Sequence, residues 1–457
     1  MPKISRYSHF EPWLNGTCIA YNARSGAVAL MTAENRDLYR GLVDKLPAAL
    51  VSALTPPEQE LVKQLQYGLF ACSDSEDELE SLKFQHNLAR YDRSTLGMTI
   101  APTLACNMAC EYCYEANKKG RMSAELVETI IAFVEKQAPG LRRVDVGWYG
   151  GEPLLAMDII EDLTQTIIDL GEEYKFQYTS SMISNGYLLT PETVDRLREL
   201  KISVIQVTLD GPARIHDKKR PLKNGRENFA VILENLKYAA GKLSLGVRVN
   251  VDKTFTPEII EELLEQLRDA GLRDRVGVYF GQLEPATIAC SNIADSCYDT
   301  ADFSRIETAY YQRLLDYGFS IQKLPSPMST FCMAQNVNAF LIDPDGNLYR
   351  CFNHVGDDTR SFGNIRGQIN YQHPNFVKLF KFTPFDEPAC RGCDILPICM
   401  GGCPDRRADR GMTPTQMCDS WKHNLQPMLR IIAQSRQQQA QSAARAQAAA
   451  LATKEQP

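Results

Sequence analysis

The chain has 457 residues, 44% apolar and 23% charged, with a formal net charge of −6. That length predicts two to four domains, and the mild acidity leaves no basic field for nucleic acid or an anionic membrane. No run approaches the ~18 apolar residues of a membrane-spanning helix, and the opening MPKISRYSHFEPWLNG lacks the apolar core of a signal peptide. Fourteen cysteines, most of them in tight spacings, predict metal sites rather than disulfides, and with them a cytoplasmic, oxygen-sensitive protein.

Residues 1–95 read as a small α+β region. TCIAYN and AVALMT are short β-like runs joined by the polar turn ARSG, which predicts a hairpin. Helical periodicity follows over 33–46 and near 57–69, and 74–92 is charged and amphipathic. Such a unit reads as a cap that packs on the rest of the chain.

The stretch MTIAPTLACNMACEYCY, residues 98–114, comes next. An apolar run that reads as a strand leads into Cys106, Cys110 and Cys113, spaced C-x₃-C-x₂-C, with the aromatic Tyr112 directly before the last cysteine. Three thiolates so close can hold three irons of a [4Fe–4S] cube and leave the fourth iron open. A structural zinc would want a fourth local ligand, for which only Glu111 and Glu115 are near.

From residue 96 to 281, strand and helix signals alternate. The predicted strands are 98–102, 144–148, 177–183, 203–209, 245–251 and 276–280, with helices near 124–137, 157–173, 191–200, 227–240 and 257–270. This alternation predicts a parallel sheet with crossover helices. Ligands of such barrels sit at the C-terminal ends of strands. The second strand ends in WYGGEP, where Gly150 and Gly151 let backbone approach a ligand closely and Glu152 supplies an acceptor. The third ends in ISNG with Ser184 and Asn185, and the fourth in TLDGP, which places Asp210 facing the barrel mouth. On the fifth, GVRVNV, Arg248 and Asn250 share one side. Ordinary strand-end polarity is the alternative reading for Ser184, Asn185, Asp210, Arg248 and Asn250.

A bridge over 282–331 carries Cys290 and Cys297, either buried thiols or ligands completing a metal site. A second cysteine field follows: Cys332, Cys351, then Cys390-x₂-Cys393-x₅-Cys399-x₃-Cys403, and Cys418. LIDPDGNLYRC within it reads as a hairpin turning at Asp-Gly. So many thiolates exceed one tetrahedral zinc site and fit two iron–sulfur clusters better. Residues 426–457 are Ala/Gln-rich low complexity, a frayed helix or disordered tail.

The C-x₃-C-x₂-C loop with its GGEP strand end resembles the radical S-adenosylmethionine (SAM) family, and the later cysteines resemble its SPASM domain. The resemblance covers residues 96–425 and implies an α/β fold: a partial (β/α)₆ barrel followed by a cysteine-rich SPASM domain over 332–425. It implies an open-iron cluster on Cys106, Cys110 and Cys113 whose free iron chelates the methionine part of SAM. Glu152 and the adjoining glycine backbone would meet the methionine ammonium, Arg248 its carboxylate, and Ser184 and Asn185 the ribose or methionyl part. Cys332, Cys351 and Cys403 would hold a first auxiliary cluster, and Cys390, Cys393, Cys399 and Cys418 a second, for three [4Fe–4S] clusters in all. The implied partners are a precursor peptide or protein substrate, whose leader residues 1–95 would grip in the alternative to a cap, and a flavodoxin- or ferredoxin-type electron donor. The expected activity is peptide crosslinking or related C–H functionalisation, with formylglycine formation as the alternative. Anaerobic sulfatase maturases carry an acidic residue directly after the auxiliary cysteine that matches Cys351; here that position is Phe352, with Asp357 or His354 as possible substitutes. A non-catalytic peptide-binding scaffold is the reading outside enzymology.

Overall fold

The computed structural model describes residues 2–46, 51–115, 120–409 and 417–454. The N-terminal region is α+β. Strands β2 (Ser8–Pro12), β3 (Cys18–Asn22) and β4 (Val28–Met31) form an antiparallel sheet, and β1 (Pro2–Ile4) pairs with β5 (Ala71–Ser73). Helices α1 (Ala33–Val43), α2 (Pro56–Tyr67) and α3 (Glu78–Tyr91) accompany them. The predicted hairpin is β3–β4, and its apolar residues Cys18, Ala20 and Met31 pack with Leu61, Val62 and Leu65 of α2 in a core of their own.

The main sheet has eight strands. Six are parallel neighbours in chain order: β6 (Thr95–Ile100), β7 (Arg143–Trp148), β8 (Gln177–Ser184), β9 (Ile202–Thr208), β10 (Ser244–Val251) and β11 (Val276–Gln282). Along β6 and β7 the buried Leu96, Met98, Ile100, Val144, Val146 and Trp148 alternate with Gly97, Thr99, Asp145 and Gly147. A parallel sheet covered on both faces is ordinarily apolar on both. Here one face packs on the helices and the other encloses space, so that face is small or polar. The crossover helices are α4 (Ala124–Gln137), α5 (Met157–Tyr174), α6 (Pro191–Glu199), α7 (Ala213–Lys219), α8 (Phe229–Ala239) and α9 (Pro257–Asp269). Two of them have side-chain N-caps: Ser123 Oγ accepts from the Leu126 N–H at 3.2 Å ahead of α4, and Thr190 Oγ1 from the Thr193 N–H at 3.3 Å ahead of α6. Helix α7 has no counterpart in the predicted elements. Its sequence ARIHDKK offers no apolar stripe, and His216 is its buried residue.

The hairpin of the second cysteine field is β12 (Ala339–Ile342) and β13 (Leu348–Tyr349). Its first strand also pairs in parallel with β6, Thr99 opposite Leu341, so the region after the bridge extends the barrel sheet past its first strand. Turn signals identify such a hairpin but carry no information about which distant edge it joins. The polar tail is described as the C-terminal part of a helix, Trp421–Lys454, whose first turns bury Trp421, Leu425, Met428 and Leu429 and pack on α10 (Thr300–Asp316).

Candidate active site and metal centres

The cysteine loop leaves β6 at the C-terminal mouth of the barrel. Buried Met108 anchors it, while the Ala109 N–H donates to Pro221 O and the Lys223 N–H to Asn107 O, each at 2.9 Å. Cys106, Cys110 and Cys113 are half-buried and all line one cavity of about 680 Å³. Burial pushes the Cys106 thiol up to about 11. Three half-buried thiols on one cavity wall suit a bound cationic cluster, which would stabilise their thiolates.

Gly150 and Gly151 line the same cavity, yet their lack of side chains already serves the chain itself. A Cβ on Gly150 would stand 2.2 Å from Thr103 O, and one on Gly151 2.4 Å from Ala105 O. The Gly151 N–H donates to Thr103 O at 3.2 Å and the Glu152 N–H to Ala105 O at 2.9 Å. The strand end is thus seated flat on the backbone just before Cys106.

Glu152 departs from expectation. It is fully buried behind the cavity wall, where Oε1 accepts from the Leu154 N–H (3.1 Å) and Ser184 Oγ (3.0 Å), and Oε2 from the Asn185 N–H (2.8 Å). Burial raises its carboxyl to about 7 against these hydrogen bonds. Asn185 Nδ2 in turn donates to Asn107 Oδ1 at 2.6 Å. Glu152, Ser184 and Asn185 therefore tie the ends of β7 and β8 to the cysteine loop.

Asp210 also departs from expectation: it is fully buried rather than facing the mouth. Its Oδ1 accepts from the Asn250 N–H at 3.0 Å, Oδ2 accepts from the Tyr112 hydroxyl, and Arg220 Nη1 lies 3.6 Å away. Asn250 Nδ2 donates to the Tyr112 hydroxyl at 3.2 Å, and Arg248 Nε donates to Asn250 Oδ1 at 2.9 Å. Asp210 accordingly holds Tyr112, and with it the Cys110–Cys113 turn. Arg220, Arg248 and Asn250 all reach the cavity wall. Arg220 was not singled out from the sequence. It sits in the polar run KKRPLKNG, which reads as a solvated loop, and only folding brings it under Tyr112.

The opposite wall belongs to the second cysteine field and the bridge. Cys403 and Cys418 line it, with Phe352 and two ion pairs, Arg406–Glu284 and Lys323–Glu307 (2.6 Å). Phe352 stands edge-on to Tyr149, ring centres 4.8 Å apart, joining the two walls. The seven later cysteines fall into two neighbourhoods. Burial raises the Cys351 thiol, and Cys403 and Cys332 are near enough to raise it further. Likewise Cys390 responds to Cys393 and Cys418, and Cys399, pushed up to about 12 chiefly by burial, to Cys393 and Cys390. Such groups of half-buried thiols, with Cys399 fully buried, suit iron–sulfur clusters, whose positive charge offsets the desolvation of thiolates. Cys290 and Cys297 stand apart: Cys290 hydrogen-bonds Thr287 O at 3.5 Å, Cys297 hydrogen-bonds Ile293 O at 3.3 Å, and Cys290 is the thiol that acts on Cys297.

Residues 100–267 match the family model of the Radical SAM superfamily. A serine-type anaerobic sulfatase-maturating enzyme of Bacteroides thetaiotaomicron is 24% identical over 67% of this chain and 81% of its own length. The solved structure of anSMEcpe with bound AdoMet is similar with a TM-score of 0.58 at 19% identity, covering 75% of this chain and 99% of that one. Streptococcus suis SuiB bound to the precursor peptide SuiA is similar with a TM-score of 0.52 at 16% identity, covering 92% of this chain and 99% of that one. The structural likenesses show a shared fold, and the second extends over the N-terminal region.

Proposed function

This chain carries a radical SAM domain, and from that premise we propose that it modifies a ribosomally made peptide or protein by hydrogen-atom abstraction. The observation that carries the reading is the single cavity walled on one side by Cys106, Cys110, Cys113, Gly150 and Gly151 and on the other by Cys403 and Cys418. Cys106, Cys110 and Cys113 would hold three irons of a [4Fe–4S] cluster, with SAM on the fourth. When bound, cluster and SAM supply a 5′-deoxyadenosyl radical.

The chain's own residues position and shield. The Gly150–Gly151 edge and the cations Arg220 and Arg248 suit the methionyl ammonium and carboxylate of SAM, since charge-assisted contacts are the strong ones. Tyr149 and Phe352 supply an apolar wall that excludes water beside the radical. Cys332, Cys351 and Cys403 form one auxiliary site, and Cys390, Cys393, Cys399 and Cys418 another, placed to accept the second electron as product forms. Asp210 and Glu152 are positioning residues in this reading. The division into 1–95, 96–281, 282–331, 332–425 and 426–457 is kept as a functional one. Residues 1–95 are the candidate leader-recognition element, where the edge strand β4 leaves Leu30 60% exposed. A flavodoxin- or ferredoxin-type donor and a cytoplasmic location complete the reading; among the described residues no helix is long and apolar enough to cross a membrane.

Crosslinking or related C–H functionalisation is preferred over formylglycine formation. Phe352 lines the cavity where an acid would be wanted, Asp357 is exposed, and His354 is buried against Asp405 at 2.9 Å. The test is anaerobic incubation with SAM and dithionite, followed by co-expression with candidate precursor peptides and mass spectrometry. 5′-Deoxyadenosine and a peptide lighter by a hydrogen pair are expected. No 5′-deoxyadenosine above a no-enzyme control would return the chain to a peptide-binding scaffold.

A further inference from the structure

Cys332, Cys351 and Cys403 would leave one iron of a four-iron cube without a cysteine, and the surroundings of Cys351 supply a ligand for it. Ligand atoms of Cys351, His354 and Asp405 all lie within 4.8 Å of one another. Asp405 is 5% exposed and follows Cys403 by two positions, in the helix Pro404–Asp409. One carboxylate therefore stands beside Cys351 and two positions along the chain from Cys403.

The buried guanidinium of Arg350 donates to the carbonyls of Ala339 (2.6 Å), Ala334 (2.6 Å) and Asn336 (2.8 Å), pinning the turn after Cys332. Around Asp405, His354 Nε2 lies 2.9 Å from Oδ1, and Asn353 Nδ2 donates to Oδ2 at 3.5 Å. An imidazole and an amide on one carboxylate form the outer shell that orients carboxylate ligands on metals. The bridge thiols Cys290 and Cys297 do not compete, since their hydrogen bonds are to their own segment.

We infer that Asp405 is the fourth protein ligand of the iron–sulfur cluster held by Cys332, Cys351 and Cys403, oriented by His354. The inference rests on the proposed assignment of those cysteines to one auxiliary cluster. A cube closed by a carboxylate presents no open iron to the substrate, so this cluster accepts an electron rather than ligating a substrate thiolate.

The test uses full-length protein reconstituted anaerobically with SAM present, as wild type, Asp405→Asn, Asp405→Cys and Cys351→Ala. Iron and zinc are counted, and the dithionite-reduced electron paramagnetic resonance spectrum is recorded with and without added cyanide. Asp405→Asn is expected to lose roughly one iron per chain or to gain a cyanide-sensitive signal. Asp405→Cys is expected to keep wild-type iron with a displaced signal, which also decides the matter if the Asn variant does not fold. Wild-type iron and spectrum in both Asp405 variants would overturn the inference, as would cyanide binding to the wild type. One zinc per chain, lost from Asp405→Asn, would overturn it in favour of a mononuclear site on Cys351, His354 and Asp405. Full iron in Cys351→Ala would instead defeat the underlying cluster assignment.

Discussion

Gly151→Ala separates two explanations of the GGEP strand end. The φ of Gly151 is outside the left-handed region, so the substitution acts through space alone. Its Cβ would stand 2.4 Å from Ala105 O, 2.5 Å from Leu104 O and 2.7 Å from Ala105 C, all well inside the ~3.5 Å of an ordinary contact. These are backbone atoms and cannot swing aside as a flexible side chain would. Overpacking of this kind costs about 1–3 kcal/mol. The strand end must also withdraw from the Thr103 and Ala105 carbonyls that accept from Gly151 N–H and Glu152 N–H, each bond worth about 1 kcal/mol. A destabilisation of about 3–5 kcal/mol follows, together with displacement of Cys106, the next residue along. Anaerobic urea unfolding of the reconstituted protein measures the first, and iron content with 5′-deoxyadenosine yield the second. An unchanged unfolding midpoint and iron content with weakened SAM binding would refute the packing argument and return both glycines to ligand approach.

Further outcomes test the rest of the site. Burial raises the Glu152 carboxyl from 4.5 to about 7, so its contribution to stability is fully present below pH 4.5 and is lost as pH rises through about 7, roughly 3 kcal/mol in all. Glu152→Ala should therefore lose about 1 kcal/mol less than wild type between pH 6 and 8; parallel stability–pH curves would contradict this. Arg220→Met leaves Asp210 buried without its cation and should cost about 3–5 kcal/mol, much of it recovered in Arg220→Met/Asp210→Asn, with SAM affinity by calorimetry still reduced; wild-type affinity in that double variant would remove Arg220 from the SAM site. The triple variant of Cys106, Cys110 and Cys113 to Ala should lose about four irons and all 5′-deoxyadenosine formation. Cys290→Ala and Cys297→Ala should each keep wild-type iron, because their thiols hydrogen-bond within the bridge; iron loss in either would require a different ligand set.

Periodicity was enough for the barrel. Apolar runs bounded by turn residues marked its strands, and 144–148 and 245–251 fall within the observed β7 and β10. Each of these is a local pattern imposed by burial of one strand face. The first strand, expected at 98–102, lies at Thr95–Ile100, since its pairing partners in β7 end at Trp148. Cysteine spacing likewise put Cys106, Cys110 and Cys113 on one cavity wall, because a short loop keeps its thiols close in space.

What the sequence by itself determined, then, was what neighbours along the chain can encode: strand, helix, hairpin, and which short loop carries thiols. Tertiary structure alone decided which polar strand-end residue faces the cavity and which braces it. Glu152 and Asp210 end strands as ligand-binding acids would, yet both are buried behind the wall, drawn inward by the Asn185 N–H and by Tyr112 with the Asn250 N–H. Arg220 looks like a solvated loop cation and is brought to the cavity by that same buried acid. Burial and hydrogen-bond partners from distant segments set these roles, and spacing along a chain carries neither.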